Sequence, residues 1–367
     1  LDHAKQILQQ AEAAGLKGEK LDQLGNRLGI FSLSISDNDR PGQEQVEAML
    51  SLYNQGKFQE ALIPGNALLE AFPNNSNTLN ILGAIHAGLD NFEGCIEYYN
   101  RAIEIEPNHI DAYYNLGAAL KELSKFEESI NAYKKVIELK ADHPQAHNNL
   151  GNVFLDVDRY QDAIDSYHKA IELKPDYAEA YNNLGNIFNK TERYEEAIIK
   201  LRRAIELKRD YSEAHYNLGN AFYSLGQFDL SEISYKKSIL TKPDYAAAYN
   251  NLGVTLQEFG KLEESIIALN RTLFIRPNYA EAYNNMGATL QNLKNFDKST
   301  VNYRQAISLK PEFYQARANL GASLKELGRL RESKISLREA ILLKPNFSEA
   351  MLNLSLTLDY MNKQEHV

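Results

Sequence analysis

Residues 178–211 read AEAYNNLGNIFNKTERYEEAIIKLRRAIELKRDY. Tyr181, Leu184, Gly185 and Phe188 lie at i, i+3, i+4 and i+7, the spacing of one helical face. Thr191-Glu192-Arg193 punctuates. Tyr194, Ala197, Ile198, Leu201, Ala204 and Ile205 then form a second apolar face, which ends before Arg209. The stretch is therefore read as two antiparallel amphipathic helices joined by a tight turn. Neither helix can bury its apolar side within 34 residues, so identical neighbours are needed to supply the core.

Those neighbours are present in sequence. Glycine recurs at 83, 117, 151, 185, 219, 253, 287 and 321, always 34 residues apart. Proline keeps the same clock at 73, 107, 175, 243, 277, 311 and 345, with Ala141 and Arg209 in the two missed slots. Small residues recur at Ala61, Cys95, Ser129, Ala163, Ala197, Ser231, Ser265, Ser299 and Ser333. With glycine at position 8 and proline at position 32, units begin at 42, 76, 110, 144, 178, 212, 246, 280 and 314. Proline at 32 falls between helices, where it interrupts no helical hydrogen bond. Small side chains at 8 and 20 let two helix axes approach closely.

The pattern of leucine–glycine at 7–8, an apolar residue at 11, small residues at 20 and 27, Tyr or Leu at 24 and proline at 32 resembles the tetratricopeptide repeat. Tyr181, Leu184, Gly185, Phe188, Ala197, Leu201 and Ala204 carry the resemblance in the fifth unit, and Pro243 ends the sixth. The first unit departs from it: Met49 replaces the glycine, and Pro64 falls inside the second helix. The resemblance implies an all-α fold, a right-handed α-solenoid or superhelix of antiparallel helix pairs with a concave groove. It also implies a non-catalytic role in binding peptides or proteins. The expected organisation is an irregular helical cap and linker over residues 1–41, nine units over 42–347, and a capping helix of an incomplete tenth unit over 348–367. In the cap, Ala4, Ile7, Leu8 and Ala11 suggest one short helix and Leu21, Leu24 and Leu28 another, before the linker Ser36–Gly42.

Composition narrows the function. The net charge of −9 lacks the clustered Lys and Arg that nucleic acid or an anionic membrane surface requires. No stretch approaches 18 uninterrupted apolar residues, and no secretory leader is visible, so a cytoplasmic location is expected. One cysteine, Cys95, excludes an internal disulfide framework.

On the first helix of each unit, positions 4, 7, 8 and 11 share one side by the 100° rule, and positions 2, 5, 6, 9, 12 and 13 the other. Position 6 is asparagine in eight consecutive units: Asn115, Asn149, Asn183, Asn217, Asn251, Asn285, Asn319 and Asn353. Position 5 adds Asn148, Asn182, Asn250 and Asn284, and position 9 adds Asn152, Asn186 and Asn220. Tyr216 and Tyr223 flank this patch at i and i+7. An amide offers two donors and an acceptor in one plane and can pair with an extended peptide backbone. Such an asparagine ladder resembles that of the repeat superhelix in O-linked N-acetylglucosamine transferases, long bacterial arrays included, and in kinesin light chains. The ladder is expected to bind a ligand without contributing to stability, so replacing Asn149, Asn183 and Asn217 by Ala should hardly move the melting temperature. Positions 2 and 5 hold no cation, which disfavours the acidic C-terminal tails that some arrays of this family capture. Glu122, Asp156, Glu258 and Glu326 at position 13 favour a neutral or basic peptide.

No catalytic residue is singled out, and no metal or cofactor is expected. His143 and His147 have metal-pair spacing, but Pro144 marks a helix start between them and a structural role is favoured. Glu127-Glu128 and Glu263-Glu264 open second helices, where carboxylates complement the positive helix end. Three functions follow. The first is a scaffold binding an extended segment. The second is the substrate-recruiting arm of a glycosyl-, sulfo- or methyltransferase. The third is a self-assembling structural protein. For the last, Leu352, Leu356 and Tyr360 form an apolar stripe on the final helix that could join copies into a homo-oligomer. On the same helix Met351, Leu354, Ser355 and Leu358 are expected to face the ninth unit.

Overall fold

The protein is described by a computed structural model over residues 43–365; the expected cap at 1–41 lies outside the described residues. Among the described residues there are nineteen helices and no strand. They run in hairpin order: α1 (Gln43–Asn54), α2 (Phe58–Ala71), α3 (Ser76–Gly88), α4 (Phe92–Ile105), α5 (Ile110–Glu122), α6 (Phe126–Leu139), α7 (Pro144–Asp156) and α8 (Tyr160–Leu173). There follow α9 (Ala178–Lys190), α10 (Tyr194–Leu207), α11 (Ser212–Ser224), α12 (Phe228–Thr241), α13 (Ala246–Glu258) and α14 (Leu262–Ile275). The last are α15 (Ala280–Asn292), α16 (Phe296–Leu309), α17 (Tyr314–Glu326), α18 (Leu330–Leu343) and α19 (Ser348–Glu365). The chain divides into two compact units within α8, between Ala163 and Ile164. In each unit, successive first helices touch one another and successive second helices do not. First helices therefore line the inner side of each unit's curve, and second helices the outer side.

The repeat glycine owes its place to its neighbour. A Cβ on Gly219 would sit 2.6 Å from Tyr235, one on Gly253 2.7 Å from Leu269, and one on Gly321 2.5 Å from Leu337. The position 24 side chain of the second helix thus lies flat across the glycine of the first. The small residue at 20 has a second role where it is serine. Ser231 Oγ donates to the Gly219 carbonyl at 2.9 Å and lies 3.3 Å from Thr255 Oγ1 of the next repeat. Ser265, Ser299 and Ser333 repeat this with Thr289, Ser323 and Thr357. A buried hydroxyl column, each member satisfied, therefore runs through the last repeats. Between repeats, a cation at position 31 stacks on the aromatic at 34: Lys208 on Tyr211, Lys242 on Tyr245 and Arg276 on Tyr279, at 4.5, 5.0 and 5.0 Å.

Each first helix from α1 to α17 ends in a Schellman motif. Gly226 N–H donates to the Tyr223 carbonyl and Gln227 N–H to that of Phe222. This places position 15 in the left-handed region, at Gly56, Gly226, Gly260 and Gly328 but also at Asp90, Ser124, Asp158, Glu192 and Lys294. An L-residue there costs about 1–2 kcal/mol that glycine avoids. Lys294→Gly, at φ 58° on an exposed turn, is therefore expected to stabilise the protein by about 1 kcal/mol, read as a rise in thermal midpoint. An unchanged or lower midpoint would contradict this.

Two local expectations are refined. α2 runs through Pro64 without a break, and Met49 is fully buried where other repeats have glycine. On α19, Ala350 and Thr357 are buried and Leu354 packs against the core with Leu337 and Ala340. Met351 and Ser355 are exposed instead of facing the ninth repeat. Their positions, 4 and 8, pack on the second helix of their own hairpin, as Gly219 does on Tyr235, and the described residues include no second helix after α19.

Candidate functional site

The asparagines are hydrogen-bonded from one repeat to the next. In the second unit Asn217 Nδ2 donates to Asn182 Oδ1 at 3.0 Å, Asn285 to Asn250 at 3.0 Å and Asn319 to Asn284 at 3.1 Å. Asn251 donates to Tyr216 Oη at 3.1 Å and to Asn220 Oδ1 at 3.0 Å. The position 6 amides of Asn217, Asn251, Asn285 and Asn319 thus reach back 35 residues to position 5 of the preceding repeat. Within a repeat the link continues, from Asn250 Nδ2 to Asn251 Oδ1 at 3.1 Å and from Asn182 to Asn183 at 3.4 Å. The first unit has the same connection: Asn115 donates to Asn80, and Asn149 to Tyr114 Oη at 2.9 Å.

This geometry changes the energetic reading of the row. Asn148, Asn182, Asn217 and Asn250 are buried, and Asn149, Asn183, Asn251, Asn285 and Asn319 are half-buried. Position 5 is not free surface, because each first helix packs on its own partner and on the first helices either side. The buried arc is wider than the single stripe that a helical wheel suggests. The asparagines join repeats, and their removal is expected to cost stability.

At one point the asparagine row opens. Asn220, Tyr223, Ser224, Tyr235, Asn251 and Val254 line a cleft of about 300 Å³ between α11 and α13. Tyr235 rises from α12 across Gly219, and its hydroxyl donates to Asn220 Oδ1 at 2.6 Å. Burial raises the Tyr235 phenol well above its ordinary range, so this hydroxyl stays a donor at all working pH. Asn220 Oδ1 receives both Tyr235 and Asn251 and is held rigid on the inner face. Tyr223, tilted against Phe228 with ring centroids 5.7 Å apart, has its phenol raised by burial and then by the nearby Glu258 carboxylate. The cleft therefore combines fixed amides, an aromatic face and an acidic rim. Sequence reasoning found Asn220, Tyr223 and Asn251. It missed Ser224, Val254 and Tyr235; the signal for Tyr235 was tyrosine instead of leucine at position 24, opposite the glycine.

The other singled-out groups lie elsewhere. Asn152 and Asn186 occupy position 9 of their own helices and are half-buried. His143 caps α7, its Nδ1 accepting from Ala146 N–H at 3.2 Å, and its ring stacks on Tyr114 at 5.3 Å. His147 Nε2 lies 3.3 Å from the Ala141 carbonyl. Among the described residues no three His, Cys, Asp or Glu side chains are grouped to hold a metal ion. Cys95 is buried against the Phe92 carbonyl, and burial pushes its thiol up to about 11. Leu352, Leu356 and Tyr360 are 63, 39 and 55% exposed on α19. No described helix is long and apolar enough to cross a membrane.

Comparison with known families decides the assignment. Models described as TPR repeat match residues 83–124, 119–158, 151–191 and 185–226. Models described as tetratricopeptide repeat match 216–280, 280–313 and 314–347. Together they cover 83–347 without a gap. The chain belongs to the tetratricopeptide repeat (TPR) family. Solved TPR structures similar to it include two of MamA, at 25% and 30% identity, covering 45% and 47% of this chain and 96% and 94% of theirs. A third is YrrB, described as a TPR protein with an unusual peptide-binding site, at 26% identity, covering 51% of this chain and 96% of its own. All three align with a TM-score of 0.41. A search of curated proteins finds no match. As a TPR array the chain is a protein-interaction scaffold in general character.

Proposed function

We propose that the inner face of the second unit holds an extended, neutral to basic peptide segment, anchored at the Asn220–Tyr223–Asn251 cleft, without catalysis. The observation that carries this reading is the cleft itself, a place where the asparagine row meets open space. The hydrogen bonds from Tyr235 and Asn251 fix Asn220 before any ligand arrives, which removes an ordering cost from binding. Tyr223 presents a π-face beside the Glu258 carboxylate, a pairing suited to a lysine or arginine side chain.

The test is selection of a random peptide display library on the intact chain. Recovered peptides are expected to be enriched in Lys or Arg, and to bind Tyr223→Ala about tenfold or more weakly, given about 1–2 kcal/mol for a desolvated cation–π contact. Tyr223→Phe should retain binding, since the ring face and not the hydroxyl is used. Recovery of no peptide, or of peptides indifferent to Tyr223→Ala, would refute the reading.

A further inference from the structure

The outer side of the second unit carries a row of bare aliphatic side chains. Ile199, Ile233, Ile267, Val301 and Ile335 occupy position 22 of five successive repeats, on α10, α12, α14, α16 and α18, and are 64, 50, 69, 63 and 58% exposed. Leu240, Phe274 and Leu342, two turns further along α12, α14 and α18, extend it at 83, 75 and 80%. The array does not require apolar residues here. In the same register the second to fourth repeats have Glu97, Asn131 and Asp165, and position 29 holds Glu104, Glu138 and Glu172. The core-facing sides of these second helices are separately filled, by Ser231, Tyr235 and Ser238 on α12 and by Ser265, Leu269 and Thr272 on α14. An exposed apolar residue at the same place on five successive helices marks an interface.

Charge is banded about the row. On the N-terminal side stand Asp229 on α12, Glu263 and Glu264 on α14 and Asp297 on α16, all exposed, with Lys298 beside Asp297 and Arg331 with Glu332 on α18. On the C-terminal side stand Lys236, Lys237, Arg271 and Arg304, also exposed; Lys236 pairs with Glu232 and Arg304 with Glu332 of the same chain. On α12 and α14, at the centre of the row, the order across the face is acidic, apolar, basic, apolar. An anionic lipid surface would meet the acidic band as well as the basic one. A second copy of this chain would not suffer that clash, provided its helices run in the opposite direction. A two-fold axis lying along the aliphatic row achieves this. It sets Ile267 against the partner's Ile267 and turns each basic band onto the partner's acidic band. Arg271 then faces Glu264 of the partner subunit, Lys236 faces the partner's Asp229, and Arg304 faces the partner's Asp297. A two-fold axis across the row would instead set like charges together. An isologous contact requires such a self-complementary patch.

We propose that this outer face is a homodimer interface, with repeat seven at its centre and helices antiparallel across the two-fold axis. It is separate from the inner-face cleft and does not depend on that reading.

The test is sedimentation of the intact chain over a dilution series, with four variants. The wild type is expected to be a reversible dimer. Ile233→Asp with Ile267→Asp should be monomeric with an unchanged circular dichroism spectrum and with the thermal midpoint of wild type diluted to monomer, since both side chains are exposed. Arg271→Glu alone should weaken association about tenfold or more through two like-charge contacts per dimer. Adding Glu264→Arg in the same chain should restore it to within about threefold, a rescue that only this antiparallel pairing provides. Leu352→Asp with Leu356→Asp should leave it intact. A wild type monomeric throughout, association that survives the isoleucine changes, failure of the charge swap to rescue, or loss of association only on changing α19 would each overturn the proposal.

Discussion

Replacing Asn217, Asn251 and Asn285 together by alanine is expected to lower the stability of the second unit substantially. Each change deletes a donor whose partner stays behind: Asn182 Oδ1, Tyr216 Oη with Asn220 Oδ1, and Asn250 Oδ1. Asn182 and Asn250 are buried, so water cannot readily replace the lost bonds. Leaving a buried polar group unsatisfied costs about 1–3 kcal/mol, so the two sites at Asn182 and Asn250 reach roughly 2–6 kcal/mol if they add, and the Asn251 site costs less because Asn220 keeps its bond from Tyr235. Asn251 and Asn285 are joined through Asn250, and coupling between them makes simple addition an upper figure. Asn292→Ala, at an exposed position of α15, should stay within about 0.5 kcal/mol. A sharper comparison pairs Asn217→Ala with Asn182→Ala. Removing both partners is nearly neutral when the space is otherwise filled, so the double change should cost less than twice the single one. Chemical denaturation followed by circular dichroism reads all four proteins. A triple variant as stable as wild type would show that the asparagine row is idle.

That expectation reverses the one drawn from sequence, and the reason is specific. The 34-residue clock gave the helix pairs, their turns and the need for small residues at 8 and 20, because these depend on spacing along one chain. The wheel of a single helix also placed Asn217 and Asn251 away from their own second helix. It could not place them against the preceding first helix, because that contact depends on the stacking angle between hairpins. The reach from position 6 to position 5 of the repeat before is a property of two repeats together. The cleft was half legible for the same cause. Asn220 and Tyr223 lie on one helix face, whereas Tyr235 enters from α12 through the gap left by Gly219. The outer aliphatic row is written in the sequence at position 22. Its meaning needed the observation that those side chains are exposed, since isoleucine on a second helix is otherwise read as core.

Two glycines in the sixth repeat should respond to substitution for opposite reasons, and Gly219→Val should have the wider effect. Its Cβ would lie 2.6 Å from Tyr235 Cε1 and 2.7 Å from Cδ1. Tyr235 cannot withdraw easily, because its ring is buried with Leu252, Leu256 and Ala268. Overpacking costs about 1–3 kcal/mol. Displacing the phenol also removes its bond to Asn220, worth about 0.5–1.5 kcal/mol. Loss of glycine from a helix interior returns at most about 1 kcal/mol, so the net remains destabilising. Because repeats contact only their neighbours, the damage should stay local. Native-state hydrogen exchange is expected to quicken over α11 to α13 and to be unchanged over α18. Peptides captured at the cleft should be lost with the Asn220 bond. Gly226→Ala meets no atom within 4 Å but must hold φ at +70°, so it should cost about 1–2 kcal/mol from its own backbone alone. It should leave peptide capture intact, and Gly226→Asn should recover part of the loss. Uniform faster exchange across the second unit in Gly219→Val, or peptide capture that survives it, would show that Tyr235 does not couple the glycine to the cleft.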